Sequence, residues 1–210
     1  MIEALLLDSM WSSLRWLIGI GMGVAAAILL YLFGVAMRRA RRPVSIVVDF
    51  LRAIPVIALV QAFFALFGTD EIGKFLMIAW ATAFPIYVHL LQAAAPTHEE
   101  RLVFAAADLS RGETLRWLHA PLLASAAIGG IRIALGIGWI SVVAAEFLGV
   151  FDSGPWSGGL GEGVIRLSEI PDYPAMTVWL AAFGVLGLGS AALFDWGSRK
   201  VARRIGLDVR

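Results

Sequence analysis

The stretch WLIGIGMGVAAAILLYLFGV, residues 16–35, holds 20 consecutive residues without a charged side chain, and the basic cluster RRARR, residues 38–42, follows it closely. The hydrocarbon core of a bilayer is about 30 Å thick, so a spanning helix needs roughly 20 apolar residues. A helix covering this stretch is therefore expected to cross a membrane. Because short arginine-rich loops stay in the cytoplasm, the cluster places the end of this helix inside and its beginning outside.

The composition of the whole chain agrees with a membrane protein. Of its 210 residues, 60% are hydrophobic and 16% are charged, and the mean hydropathy is +0.82, which is more apolar than an ordinary soluble domain. The net charge of +1, with basic residues in short clusters beside apolar runs, argues against a nucleic-acid partner. The lack of cysteine excludes disulfides, thiolate metal sites and a cysteine nucleophile.

Four further apolar runs follow the first one. The sequence thus predicts a polytopic all-α bundle of five spans, with the N-terminus outside and the C-terminus inside. The predicted spans are residues 11–37, 44–68, 72–95, 122–150 and 175–194. This topology places the charged segment 96–120 in the cytoplasm and makes the Gly/Pro/Ser-rich residues 151–174 an external loop. We interpret residues 1–210 as a single transmembrane domain.

Two charged residues, Arg132 and Glu146, lie within or near the end of the fourth predicted span. A charge at such a depth costs roughly 2.5–3.5 kcal/mol on insertion scales and usually faces the bundle interior or water. The two residues are 14 positions apart, about 21 Å along a helix, so each needs a partner on another helix. Both are candidates for lining a translocation path or gate, with structural polar contacts as the alternative.

The first two spans contain further pattern signals. Gly19 and Gly23 form a GxxxG pair, which allows close approach of another helix. In the second span, Asp49 and Arg52 are three residues apart and are expected to pair with each other. Pro55 lacks a backbone N–H and is expected to kink that span. Arg52 and Pro55 are also candidates for lining a path.

The segment 96–120, predicted to be cytoplasmic, is the one sizeable polar surface on which a cytoplasmic partner could act. The alternative interpretation of this segment is a plain solvated loop. The chain has no GxxxxGK[ST] loop for nucleotide phosphates. If the protein drives transport with ATP, a partner must therefore hydrolyse it.

Specific strings occur along the chain in a fixed order: SLR at 13–15 with Gly19, RRARRP at 38–43, DFLRAIP at 49–55, GIRIALG at 130–136 and VAAE at 143–146. Together they resemble the permeases of the nitrate/sulfonate/taurine-type ATP-binding-cassette (ABC) importers, which are binding-protein-dependent transport inner-membrane components. The resemblance extends from about Ser12 to Arg204. Members usually carry one more N-terminal span, so this chain resembles the five-span core alone.

The resemblance implies a type I importer (MetI-like) permease in the bacterial inner membrane. Such a permease is a homodimer surrounded by lipid, docked on two cytoplasmic ABC ATPase subunits and fed by an external substrate-binding protein. It implies no cofactor in this chain, since ATP and Mg²⁺ are bound by the partner ATPase. It also implies no catalytic residue and no metal site, so the chain is expected not to be an enzyme.

The same resemblance points to residues that contact the ATPase. The family's cytoplasmic segment carries a Glu-Ala-Ala motif, a downstream glycine and a Leu-Pro end. Ala105 and Ala106 match the paired alanines and Pro121 matches the final proline, while Ser110 stands at the glycine position. Gly112 is an alternative turn residue, because glycine tolerates positive φ. Phenylalanine and alanine replace the motif's glutamate and leucine, so the docking segment departs from the family pattern.

We therefore expect an ATP-driven, binding-protein-dependent importer of a small polar solute, such as a sulfonate, nitrate or similar oxyanion, that works by alternating access. One alternative is a secondary transporter, which would ordinarily show a longer chain with paired broken helices in two halves. The other is an intramembrane hydrolase, which needs a nucleophile matched to a base. Ser125 and Ser141 have no such partner in the sequence pattern.

Overall fold

A computed structural model describes residues 1–37, 39, 41–68, 70–93, 99, 102, 110–114, 116, 119–147 and 158–204. Over these ranges the secondary structure is helical and contains no strand, which confirms the predicted all-α fold. The helices are α1 (Ile2–Ala36), α2 (Arg41–Arg52), α3 (Val56–Phe67), α4 (Glu71–Ala93), α5 (Arg111–Thr114), α6 (Ala120–Glu146), α7 (Leu160–Glu169) and α8 (Tyr173–Arg204).

Four helices, α1, α4, α6 and α8, are long and apolar enough to cross a membrane. The predicted second span, residues 44–68, is not one continuous helix. It consists of α2 and α3, which are bent by 98° relative to each other and form a fifth span when the pair is counted as one. Pro55 sits at the N-cap of α3 with extended backbone angles of φ −60° and ψ 131°, which confirms the predicted kink. The missing N–H and the proline ring prevent the helix from continuing.

Three further boundaries differ from the prediction. Helix α8 continues to Arg204, ten residues beyond the predicted end of the fifth span at residue 194. Helix α1 begins at Ile2 rather than near residue 11. Residues 160–169 of the predicted external loop form helix α7. Leu160, Val164 and Leu167, at helical spacing, pack α7 against the start of α8. The glycine-rich sequence before α7 hides this short amphipathic pattern.

Helix α4 packs extensively against both α1 and α6, which also contact each other. A Cβ atom at Gly19 of α1 would lie 2.5 Å from the Ile78 side chain of α4, and one at Gly23 would collide with Thr82. This close approach confirms the role predicted for the GxxxG pair. Two turns beyond Ile78 along α4, a Cβ atom at Gly130 of α6 would lie 2.8 Å from the Cα atom of Ile86. Three helices thus pack with their backbones close together.

The helices define two ends of the bundle, which we name after the predicted topology. The outer end contains the beginnings of α1, α4 and α8, the end of α6, and α7. The inner end contains the ends of α1 and α8, the beginnings of α2 and α6, and the short helix α5. The basic residues Arg39, Arg42, Arg199 and Arg203 belong to the inner end.

The packing of α1 on α4 predicts different effects for two glycines on one helix. Gly19→Ala places a methyl group 2.5 Å from Ile78, whereas the Cβ position of Gly21 meets nothing within 4 Å. Overpacking of this kind costs about 1–3 kcal/mol. We expect Gly19→Ala to lower the midpoint of thermal unfolding in detergent and Gly21→Ala to leave it unchanged or raise it slightly. Equal midpoints for the two variants would contradict the observed packing.

Candidate functional site

Buried charged side chains gather at the outer end of the described part of the bundle. Arg15, Lys74 and Glu146 are each 1% exposed or less, and Asp8 and Glu162 are also buried. We call the group the outer polar cluster; it comprises Asp8, Ser12, Arg15, Glu71, Lys74, Glu146 and Glu162. Because a buried charge is costly unless it is paired and hydrogen-bonded, the partners of each group decide whether the arrangement is stable.

Arg15 of α1 occupies the middle of this cluster. Its Nε and Nη2 atoms donate to the two carboxylate oxygens of Glu71 at 2.8 and 2.7 Å. Its Nη1 atom donates to Glu146 Oε1 at 3.0 Å and to the carbonyl oxygen of Gly158. Lys74 adds a second cation on Glu71, with an Nζ to Oε1 distance of 2.7 Å. One guanidinium therefore joins α1, α4, α6 and the chain before α7 through charge-assisted hydrogen bonds.

The N-terminus of α7 is held by side chains of other helices. The first N–H groups of a helix have no acceptor within the helix, and the helix dipole favours negative charge there. Here the N–H groups of residues 158–161 donate, in order, to Glu162 at 2.8 Å, Asp8 at 3.0 Å, Ser12 at 2.8 Å and Glu146 at 2.7 Å. Asp8 and Ser12 belong to α1 and Glu146 to α6. These contacts fix α7 on the outer end of the bundle.

The glycine run before and within α7 makes this approach possible. Gly158 and Gly159 have φ values of 115° and 139°, a region that favours glycine. A Cβ atom at Gly159 would collide with the carboxylate of Glu146. At Gly161 it would lie 3.0 Å from Glu146 Oε2. The sequence GGLG, residues 158–161, is thus a close-packed element rather than a plain loop.

Asp8 extends the cluster to α8. Its Oδ2 atom accepts a hydrogen bond from the indole Nε1 of Trp179 at 2.8 Å and lies 3.3 Å from Nη2 of Arg166. Ser12 also donates to Glu146 Oε1 at 2.6 Å. The outer polar cluster consequently connects all four long spans and α7 at one end.

The two charges of the fourth span lie in different surroundings. Glu146 is 1% exposed and belongs to the outer polar cluster. A residue that lines a path must face open space, and Glu146 does not do so in this structure. Arg132 has a side chain that is 65% exposed and donates to Asp195 of α8 at 2.8 Å. The expectation that each residue has its partner on another helix is confirmed, by Arg15 for Glu146 and by Asp195 for Arg132.

The structure brings Arg52 and Pro55 together. They line a cavity of about 320 Å³ beside the break between α2 and α3, with Trp80, Phe84, Pro85 and Ile137 among the other lining residues. Arg52 Nε lies 2.9 Å from Asp49 Oδ1, which confirms the predicted local pair. The four path candidates therefore occupy three places: Arg52 with Pro55, Arg132 on α6, and Glu146 in the outer polar cluster.

The coupling segment is described only in part. Ala105 and Ala106 lie outside the described residues. Ser110 forms a capping box with Glu113: the Ser110 N–H donates to Oε2 of Glu113 at 3.0 Å, and the Glu113 N–H donates to the serine hydroxyl at 3.3 Å. The Ser110 hydroxyl also donates to Glu113 and, with the Ser110 N–H, lowers the pKa of that carboxyl. Ser110 therefore starts helix α5.

Two other coupling candidates lie in helices. Gly112 lies inside α5, and the described glycines with positive φ are Gly68, Gly158 and Gly159. The expectation of a turn at Gly112 was therefore wrong, because the capping box begins a helix there. Pro121 lies in the first turn of α6, where its missing N–H is tolerated.

Sequence reasoning missed every member of the outer polar cluster except Glu146, namely Asp8, Arg15, Ser12, Glu71, Lys74 and Glu162. A signal for the first two was present, since Asp8, Ser12 and Arg15 follow a 4, 3 spacing that places them on one face of a helix. Lys74 stands three residues after Glu71, which is a pairing distance on a helix.

The central position of Arg15 predicts a large loss of stability when its charge is removed. Arg15→Gln leaves Glu146 and Glu71 without their main cation, and breaking a buried pair in this way costs about 3–5 kcal/mol. Arg52→Gln, which breaks an exposed pair with 51% and 54% side-chain exposure, is expected to cost less than about 1 kcal/mol. Thermal unfolding in detergent compares the two variants. A similar small effect for both would contradict the structural role of Arg15.

A family model described as the binding-protein-dependent transport system inner membrane component matches residues 18–207. The chain is 25% identical over 84% of its length to the putative aliphatic sulfonates transport permease protein SsuC of Bacillus subtilis, and the match spans 60% of that relative. A probable ABC transporter permease of Brucella melitensis is 28% identical over 94% of this chain and 79% of the relative. The taurine transport system permease protein TauC of Escherichia coli is 27% identical over 76% of this chain and 54% of that protein.

The fold also matches a solved structure. A chain from a study of inward-facing conformations of the MetNI methionine ABC transporter superposes with a TM-score of 0.58, over 97% of this chain and 95% of the other, at 17% identity. This likeness confirms the predicted MetI-like fold. Since the family model also covers nearly the whole chain, the protein belongs to the binding-protein-dependent transport system inner membrane components and is a multi-pass inner-membrane ABC transporter permease.

Proposed function

We propose that two copies of this chain form the membrane path of an ATP-driven importer for a small oxyanion of the sulfonate class. An external binding protein delivers the solute, and two cytoplasmic ABC ATPases, which bind ATP and Mg²⁺, drive the cycle. The observation that supports the proposal most is the exposed ion pair between Arg132 of α6 and Asp195 of α8.

Arg132 lies near the middle of α6. It follows Ala120 by 12 residues and precedes Glu146 by 14, which is about 18 and 21 Å at the rise of an α-helix. Its side chain is nevertheless 65% exposed. A charge facing lipid at this depth is costly. The α6 surface around Arg132 therefore faces water or a second copy of the chain.

This surface continues along α6. Arg132, Gly136 and Ile140 follow each other at intervals of four residues and share one helix face. Gly136 has open space beside it and Ile140 is 67% exposed. We call this stripe the α6 face. A path between two such faces offers an anion those N–H groups of the planar Arg132 guanidinium that do not donate to Asp195, and such groups suit oxyanions.

The substrate class rests on the relatives. The names of the Bacillus subtilis and Escherichia coli proteins specify aliphatic sulfonates and taurine. A sulfonate group has a negative charge and three oxygen acceptors, so it matches the arginine of the α6 face in charge and hydrogen bonding. These observations favour a sulfonate among the small polar solutes.

Helix α6 also supplies a physical connection for alternating access. It is 27 residues long, about 40 Å at 1.5 Å per residue. It begins beside Pro121 at the inner end, carries Arg132 in its middle and ends at Glu146 in the outer polar cluster. ATPase contacts at Ala105, Ala106, Ser110, Gly112 and Pro121 would move its inner end. A rigid helix transmits that movement to the path and the outer end.

Uptake measurements test this proposal. The chain is reconstituted with its ATPase and binding protein in proteoliposomes, and ATP-dependent uptake of labelled taurine or an alkanesulfonate is measured. Hydrogen bonds to charged groups are worth about 1.5–3 kcal/mol, so Arg132→Gln is expected to reduce uptake about 10- to 100-fold. Arg132→Lys keeps the charge and is expected to retain part of the activity.

Arg199→Gln is the matched control, because Arg199 is an exposed arginine near the inner end of α8 and does not belong to the α6 face. It is expected to transport at the level of the unmodified chain. Uptake that persists with a hydrolysis-dead ATPase would contradict ATP-driven import. Full uptake by Arg132→Gln would contradict the assignment of the path.

A further inference from the structure

A second cavity, of about 800 Å³, lies between the α2–α3 pair and helices α1 and α4. Its volume is within the range of about 300–1,000 Å³ that is usual for ligand pockets. All its lining residues are apolar or aromatic, and they include Val47, Leu51, Ala62, Phe63 and Trp80. Such a lining suits a hydrocarbon chain and excludes the oxyanion that we propose as the transported solute.

Helix α2 forms one wall of this cavity and is amphipathic. Arg42, Ser45, Asp49 and Arg52 follow a 3, 4, 3 spacing and form its polar face, while the remaining positions from Pro43 onward are apolar. The helix is bent by 98° from α3, and α3 packs against the long span α4. A short amphipathic helix joined to an apolar helix at such an angle is typical of the membrane interface.

Two arginines lie at the beginning of α2, one just before the helix and one in its first turn. Arg39 and Arg42 are exposed, and neither forms an ion pair with a described residue. Arg42 directly precedes Pro43, which lines the cavity. Both belong to the inner end, where the predicted topology places the cytoplasmic leaflet with its anionic headgroups. Cationic side chains are thus present at the beginning of the helix whose apolar face lines the cavity.

We propose that the cavity binds one anionic phospholipid of the inner leaflet. An acyl chain fills the apolar cavity, and the phosphate pairs with Arg39 and Arg42. A free phosphate would leave the apolar lining without a partner, and an uncharged apolar molecule would leave the two arginines without one. A phospholipid supplies both groups and is present around every spanning helix.

Native mass spectrometry of the purified permease–ATPase complex tests this site. The complex is held in micelles that contain equal amounts of phosphatidylglycerol and phosphatidylcholine. We expect phosphatidylglycerol to be retained in preference. Each arginine near an anionic surface contributes a factor of about five in binding, so Arg39→Gln and Arg42→Gln are each expected to reduce that retention about fivefold.

Ala62→Trp tests the apolar part of the site, because Ala62 lines the cavity and an indole would occupy the space of the acyl chain. This variant is expected to lose retention of both lipids. Arg203→Gln is the control, since Arg203 is an exposed arginine of the inner end on α8 and lines neither cavity. It is expected to retain phosphatidylglycerol unchanged.

Three results would overturn the proposal. The first is equal retention of the two lipids by the unmodified complex. The second is displacement of phosphatidylglycerol by millimolar inorganic phosphate, which would indicate a site for a free anion. The third is efficient disulfide formation between two copies of Ala62→Cys, a single-cysteine variant because the chain has no other cysteine, in a complex that retains no lipid. That result would show that the cavity is a contact between copies.

Discussion

Arg15 lies 1% exposed between the carboxylates of Glu71 and Glu146, and three helices of the bundle meet at its guanidinium. Each of these charges would be costly in the interior alone. Together with Lys74 they compensate one another, and removing Arg15 leaves Glu146 without a cation and Glu71 with Lys74 alone. The position of α7 depends on the same arrangement, because Glu146 accepts hydrogen bonds both from Arg15 and from the N–H of Gly161. This polar cluster is therefore the constraint that fixes the outer end of the bundle.

Helix α6 connects that constraint to the proposed transport function. Its outer terminus is tied to the cluster through Glu146, its middle carries the exposed Arg132, and its inner terminus begins beside the coupling segment. A helix fixed at one end and pushed at the other must tilt or rotate as a unit, since interhelical packing has discrete arrangements. The small residues along α4 and α6, such as Gly130, bring the neighbouring backbones close enough to share such a movement.

Much of this architecture follows from local sequence patterns. Apolar runs of spanning length predict long helices, the Gly19–Gly23 pair predicts close helix packing, and Pro55 predicts a kink. Each prediction needs only the local sequence, and the structure contains all three features. The distance between Arg132 and Glu146 along one helix was sufficient to predict that each has a partner elsewhere. The partners themselves could not be predicted, because Arg15 and Glu146 are 131 residues apart and no local pattern relates them. Helix α7 could not be predicted for a similar reason. Its glycine-rich start is typical of a loop, and the carboxylates that accept hydrogen bonds from its N–H groups include those of distant residues.

The most direct test of the account is the accessibility of the α6 face to water. Gly136→Cys places a single thiol on this face in a cysteine-free chain. Leu29→Cys places one on an exposed apolar position of α1 as the control. In the reconstituted complex, a charged membrane-impermeant thiol reagent is expected to label Gly136→Cys quickly and Leu29→Cys hardly at all. It is also expected to reach Gly136→Cys from opposite sides of the membrane in the nucleotide-free and ATP-trapped states. Equal, slow labelling of both positions in both states would show that the α6 face meets lipid and would contradict the proposed path.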